Sequence, residues 1–291
     1  MPVFPFRGES NTLNPITRQE APGEFVQLSH GLVHYEQGGL KGGTDVLLVH
    51  GLSVPYFIWD PTFDALRHSG FHVTRFDLYG RGYSDRPVVT YDLNLFTAQM
   101  LELMRALDIA RAHVVGLSMG GVIAANFVTK HPERIGKLVF IDPAGFELSL
   151  SWLSKLTLLP GISEVFFNLV GDKTLLNSMA NDFYVKEFVE DFLERYKPQM
   201  KFKGFKRALL STWRSGILKD DIGHYEPIGK TQIEVLLVWG KEDRTVPFRH
   251  SGRLVQAIPQ VQFFPIAEAG HIPHYERPDI VGPILIKFFK D

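Results

Sequence analysis

A serine hydroxyl is a poor nucleophile at neutral pH unless a base takes its proton and an acid orients that base. This chain offers such a serine in VVGLSMGG, Val114 to Gly121. A β-branched run ends at Gly116, Ser118 follows two residues later, and Gly120 and Gly121 open a stretch of helical character. Glycine at Gly116 and Gly120 suits a serine held in a strained turn, where flanking side chains would strike the neighbouring strand and helix. Taken alone, the same residues also fit a plain helix start capped by Ser118.

The partners of such a serine belong at other strand ends. Asp243 follows VLLVWG through Gly240-Lys241-Glu242, and His271 follows VQFFPIAEAG directly after Gly270. Asp142, after LVFI, occupies a second place from which an acid could reach the histidine. His274 lies nearby but has no glycine before it. Glu242 reads as solvated. His50 reads as a hydrogen-bonding residue that holds the loop after it, and Asp77, Gly80, Gly82 and Ser84 as the shapers of a loop beside the site. The eleven histidines include no H-E-x-x-H or similar spacing, so neither a metal nor a cofactor is implied.

The elements that must position these residues follow in order. Residues 1–24 read as an irregular arm, and EFVQLSHGLVHYEQGG as a hairpin broken at Ser29-His30-Gly31. DVLLVHG is a short continuous apolar run of the kind found in a strand buried on both faces. A helix around Trp59 to His68, a strand at Val73 to Phe76, and a helix capped by Asp92 come next. The strand AHVVGLS leads through the serine turn to a helix ending near Lys130, and KLVFIDPAG returns as a strand. This alternation implies a mostly parallel, doubly wound α/β sheet with functional loops at the carboxyl ends of its strands.

The segment 146–227 breaks the pattern. It carries Trp152, Phe166, Phe167, Phe183, Tyr184, Phe188, Phe192, Tyr196, Phe202, Phe205 and Trp213 among charged residues, with helical periodicity and no strong strand. It reads as an inserted helical cap on a core formed by 25–145 and 228–291. The core resumes with VLLVWG, a helix over Arg249 to Ala257, the strand in VQFFPI and a closing helix from Ile280 to Phe289.

Composition narrows the function classes. The 291 residues carry a formal net charge of -1, so no basic surplus points to nucleic acid or an anionic membrane. The absence of cysteine excludes disulfides, thiolate metal sites and a cysteine nucleophile. No apolar run approaches the roughly 20 residues of a membrane-spanning helix, and the N-terminus has no apolar core typical of a signal peptide. A cytoplasmic protein with a small-molecule partner is the expectation.

Four motifs, in order, resemble the α/β-hydrolase family: His50-Gly51, the D-x-x-G-x-G-x-S loop from Asp77 to Ser84, GLSMGG at Gly116 to Gly121, and Gly270-His271. The chain order Ser118, Asp243, His271 is that family's order. The resemblance implies that Ser118 is the nucleophile, His271 the general base and then acid, and Asp243 the orienting carboxylate. It further implies an oxyanion hole made of the backbone N–H groups of Leu52 and Met119. A serine at the elbow argues against the haloalkane dehalogenases and epoxide hydrolases of this fold, which use aspartate there. HGLSVP at His50 to Pro55 with the SMGG elbow is similar to the monoacylglycerol-lipase and carboxylesterase branch. That makes a serine carboxylesterase acting on medium-chain acyl esters or monoacylglycerols the leading expectation, with the aromatic cap supplying an apolar acyl pocket. Carbon-carbon hydrolases of ring-fission products resemble G-N-S-M-G-G, with asparagine where Leu117 stands, and that departure counts against them. GLSMGG also occurs in enol-lactonases. A ligand-binding or receptor protein with vestigial chemistry is the alternative of another class, and the presence of all three triad residues counts against it.

Overall fold

The computed structural model describes residues 6–19, 21–147 and 161–291. Among them runs one sheet of eight strands in the order β1-β2-β4-β3-β5-β6-β7-β8. The hairpin read in the sequence is β1 (Glu24–Leu28) and β2 (Gly31–Gly39), paired antiparallel, and β2 is antiparallel to β4 (His72–Phe76). From there every pairing is parallel, through β3 (Asp45–Val49), β5 (Ala112–Leu117), β6 (Ile135–Ile141), β7 (Val235–Gly240) and β8 (Gln262–Ile266). The carboxyl ends of β3, β5, β6, β7 and β8 therefore open on one edge.

The continuous apolar runs follow from burial on both faces. Leu47, Val49, Val114, Phe140, Leu237 and Trp239 pack on one side of the sheet with the helices α3 (Leu93–Ala106) and α4 (Met119–Lys130). Their neighbours Val46, Leu48, Val115, Val139, Leu236 and Val238 pack on the other with α2 (Asp60–Arg67) and the C-terminal helix. Strand side chains alternate in direction, so helices on both faces demand apolar residues at every position. Asp92 caps α3 as its sequence position implies, its side chain accepting from the Leu95 N–H at 2.9 Å. The short helix α1 (Pro15–Arg18) is closed by a capping box between Asn14 and Thr17.

Between β6 and β7 the described residues are helical and contain no strand of the sheet: α5 (Ile162–Leu169), α6 (Gly171–Asn181), α7 (Val189–Met200) and α8 (Phe205–Arg214). Trp152 lies outside the described residues. The insert's aromatic residues meet the body of the protein edge to face, with Phe57 and Phe192 centroids 5.3 Å apart and Phe192 and Tyr275 at the same separation. The N-terminal arm is pinned to the same insert. Asn11 exchanges backbone hydrogen bonds with Lys201 and Lys203, and the Glu9 carboxylate accepts the N–H groups of Gly204 and Lys206 at 2.7 Å each.

The later elements are α9 (Ser251–Ala257), α10 (Pro273–Glu276) and α11 (Pro278–Lys290). The helices expected near Trp59 and Arg249 both begin with a 3-10 turn, at Tyr56–Trp59 and Phe248–His250. Pro55 and Pro247 precede these turns and leave the chain extended before each.

Candidate active site

Ser118 stands between β5 and α4 at φ 52 and ψ -119, a strained conformation for a residue with a side chain. Its side chain makes no capping hydrogen bond to α4, so the plain helix-cap alternative does not describe it. The backbone carries the turn instead: the Ser118 N–H donates to Ile141 O, and its carbonyl accepts from Gly121 and Ala144. The glycines permit the crossing. A Cβ on Gly116 would lie 2.5 Å from the Gly120 carbonyl oxygen, and one on Gly120 would lie 2.7 Å from the His50 oxygen and closer still to that of Val49.

His271 is buried, and its Nδ1 lies 2.8 Å from Asp243 Oδ2. With that nitrogen carrying the proton, Nε2 is free to accept one. Asp243 Oδ1 accepts the N–H groups of Thr245 and Val246 at 2.7 and 2.9 Å, which fixes the carboxylate's rotation. Ser118 and His271 line a single cavity of about 670 Å³, together with Gly51, Leu52, Leu117, Met179, Asp182, Trp213, Leu218 and Arg244. Three strand ends thus bring the sequence's candidate triad to one place.

The two candidate oxyanion donors flank the serine. A Cβ on Gly51 would lie 3.3 Å from Ser118 Cβ, so the loop after β3 runs directly against the elbow. Among the described residues, neither the Leu52 nor the Met119 N–H donates to a protein acceptor. On the loop after β3 it is the carbonyl side that the protein holds. The buried Arg81 guanidinium donates from Nε to Leu52 O at 2.7 Å, and Gln199 of α7 donates to Ser53 O at 2.8 Å. Arg81 also reaches Thr212 of α8 at 2.9 Å, so the insert and the loop are fastened together. His50 holds the base of the loop, donating from Nδ1 to Gly51 O and accepting the Leu78 N–H at Nε2. Burial pushes His50 down to about 4, so it stays neutral in this role. Asp77 anchors the loop behind, accepting from His34 and from the Tyr56 and Tyr83 N–H groups.

Sequence reasoning missed the residues that the insert contributes. Asp182 is buried on the cavity wall, its backbone oxygen accepts the His271 N–H at 2.7 Å, and its carboxyl takes the Thr245 hydroxyl at 2.5 Å. Burial raises its carboxyl to about 6. Glu276, also buried, accepts the N–H groups of Tyr184, Val185 and Gly270 at 2.7 Å each, tying the insert to the turn before His271. Nothing in the local sequence marks either residue, because the contacts that join the insert to the His271 turn, Asp182 to His271 and Glu276 to Tyr184 and Val185, each span more than 80 residues of chain.

Other expectations change. Glu242 is half-buried and accepts the Ala269 N–H, where a solvated side chain was expected. His274, already disfavoured as the base for want of a preceding glycine, is buried against Trp59 at 4.6 Å, and burial pushes it down to about 3. Of the insert's described aromatics named above, Trp213 alone lines the cavity. Phe183, Phe192, Tyr196, Phe202 and Phe205 are spent on packing the insert down, so the aromatic count does not itself define an acyl pocket. The side chains of Asp142, Asp243 and His271 each present an atom within 4.8 Å of the others, a cluster that ligand spacing in the sequence did not suggest.

Burial disfavours a charged His271, but the Asp243 carboxylate beside it, with Asp182 and Glu276 further out, outweighs that and raises it to about 9. A base must be neutral to accept the serine proton. With His271 as the expected base, activity should rise with pH, and kcat/KM for an uncharged substrate should fall about tenfold per unit on the acidic side of that value. A profile already flat from pH 6 upward contradicts this setting of His271.

The model of the alpha/beta hydrolase fold family matches residues 45–278. The chain belongs to that family. It is 30% identical over 277 residues to 2-hydroxy-6-oxo-6-phenylhexa-2,4-dienoate hydrolase of Comamonas testosteroni, covering 90% of this chain and 93% of that protein. Among solved structures, the meta-cleavage product hydrolase of Pseudomonas fluorescens IP01 matches with a TM-score of 0.75 at 25% identity, covering 92% and 97% of the two chains. The enol-lactonase of Burkholderia xenovorans LB400 shares the fold at 22% identity, with a TM-score of 0.75 over 92% of this chain and all (100%) of its own. No helix among the described residues is long and apolar enough to cross a membrane.

Proposed function

We propose that the chain is a cytoplasmic serine hydrolase that cleaves the carbon-carbon bond beside a ketone in a ring-fission-type dienoate, with 146–227 as the cap that shapes its substrate cavity. The observation that carries this reading is the similarity, spread over nine-tenths of both chains, to an enzyme whose name gives it such a dienoate as substrate. It displaces the ester as the leading substrate.

In the proposed cycle His271 Nε2 takes the Ser118 proton as Oγ attacks the ketone carbon. The developing oxyanion lies at the Leu52 and Met119 N–H groups, and donors of this kind typically contribute on the order of 3 kcal/mol each to lowering the barrier. Asp243 holds the imidazole in the tautomer that can accept the proton and stabilises the imidazolium that forms. Cleavage proceeds from the 2-oxo tautomer, formed by moving the 2-hydroxyl proton to the carbon beside the ketone, so that this carbon is saturated; the bond to it then breaks and its electron pair passes into the conjugated 2-oxo-enoate as a dienolate. That fragment takes the proton back from His271. Water, activated by the same imidazole, releases the acyl group from Ser118.

One observation favours carboxylic esters as a second reading. Leu117, where carbon-carbon hydrolases resemble asparagine, is 3% exposed and lines the cavity, removing a polar group from beside the nucleophile. A three-substrate comparison decides between them: a coloured dienoate ring-fission product, an enol-lactone and a series of nitrophenyl esters. The first reading expects bleaching of the dienoate with kcat/KM at least tenfold above that for any ester. Fast ester hydrolysis with no bleaching at high enzyme concentration overturns it in favour of the second. Failure of every substrate, together with no labelling by a fluorophosphonate, points to a binding protein.

A further inference from the structure

The carboxyl of Asp142 has no place in the cycle above. It sits at the end of β6, fully buried, on a backbone with φ 40 that side-chain-bearing residues rarely adopt. One of its oxygens accepts the Gly240 N–H at 2.9 Å, at the mouth of the loop that carries Asp243. The other, Oδ2, is buried and makes no hydrogen bond with a conventional donor among the described residues. Asp142 nevertheless presents an oxygen within 4.8 Å of both an Asp243 oxygen and a His271 nitrogen.

The donors at this point are already committed. Asp243 is satisfied by Thr245, Val246 and His271, so every one of its contacts presents a proton to it. A second ionised carboxylate at Asp142 would face that charge in a dry interior with one N–H to compensate, and two such charges do not both survive. A carboxylic acid at Asp142 resolves the conflict, because the oxygen that lacks a donor becomes a donor. Burial and the neighbouring Asp243 both raise the Asp142 carboxyl well above its ordinary range, in the same direction. Other charged or titratable groups face this histidine from several sides: Asp182 from the insert, and Glu276 and His274 from α10. They are the same in every comparison below.

We propose that Asp142 is a positioning residue that holds a proton against the Asp243 carboxylate, and that it serves as the reserve acid for His271 when the Asp243 carboxylate is lost. Its proton keeps the pair at a single negative charge, so His271 is paired with one carboxylate. With Asp243 removed, the Asp142 proton passes to His271 and the Asp142 carboxylate becomes its partner. This rests on the reading of Ser118 and His271 given above.

The test compares Asp243→Ala with Asp243→Ala/Asp142→Asn, using fluorophosphonate labelling of Ser118 and the NMR titration of the His271 imidazole. Labelling by Asp243→Ala should persist at about one-hundredth of the intact rate, and adding Asp142→Asn should cost at least a further tenfold. Asp142→Asn in the intact protein should cost a smaller factor, on the order of threefold, because an amide still donates to Asp243. The His271 titration should stay above 6.5 in Asp243→Ala and drop below it in the double variant, where burial is no longer opposed by an adjacent carboxylate. Equal labelling in the two variants, or an equal histidine titration, overturns the proposal. The titration is read on folded protein without turnover. If the intact protein fails to label, the reading of Ser118 falls while Asp142 is still decided by the histidine.

Discussion

Ser118→Ala should lower kcat on the best substrate by on the order of 10⁵ while leaving the folded protein and its substrate affinity in place. The reason is local. Ser118 Oγ makes no hydrogen bond that holds the turn together, and the backbone bonds to Ile141, Gly121 and Ala144 remain available to alanine. On the proposed mechanism the side chain's job is chemical, and its loss should appear in kcat with little change in the unfolding midpoint. The same substitution should abolish fluorophosphonate labelling. A variant that retains more than a few per cent of the rate would remove Ser118 as the nucleophile and leave the cavity without one.

Gly120→Ala is expected to have the opposite signature, a large loss of stability. The new Cβ would sit within 2.7 Å of the His50 carbonyl oxygen and closer still to that of Val49, and both are backbone atoms of the adjacent β3 end. No flexible side chain can yield there. Either α4 moves away from the sheet or β3 shifts with the loop that carries Leu52. Overpacking of this kind costs about 3 kcal/mol, and in a chain of this size that lowers the melting temperature by roughly 5 °C. Residual activity should fall too, since any shift of β3 displaces the Leu52 N–H. A variant that melts within 2 °C of the parent would mean that the elbow is less tightly crossed than the geometry requires.

These two outcomes separate what the elbow does from what it withstands. Its serine is replaceable without structural loss, whereas its glycines are fixed by the approach of two strands and a helix. The candidate oxyanion loop follows a related logic from the other side. Arg81, His50 and Gln199 all bind carbonyl oxygens of residues 51–53, and among the described residues the Leu52 N–H donates to no protein acceptor. Among the described residues Arg81 has no carboxylate partner and is held by Leu52 O, Tyr79 O and the Thr212 hydroxyl. Burial lowers it to about 10, still far above neutrality, so it remains a cation beside the loop.

Much of this was present in the local sequence. The continuous apolar runs at β3, β5, β6 and β7, the Asp92 cap and the glycines at Gly116 and Gly120 are local consequences of burial period and backbone sterics. The order of Ser118, Asp243 and His271 could be read for the same reason, since each follows a strand and parallel strands bring their carboxyl ends to one edge. What no local pattern carries is the meeting of groups distant in the chain. The insert delivers Asp182 to His271 and Gln199 to the loop after β3, and Phe183, Phe192, Tyr196 and Phe205 turn inward to hold it down, leaving Trp213 of its described aromatics to line the cavity. Asp142 was visible as a possible acid beside a strand end. Only the tertiary structure places it against an Asp243 already satisfied by its own partners, because the cost of a second buried charge exists only when both carboxyls share one dry site.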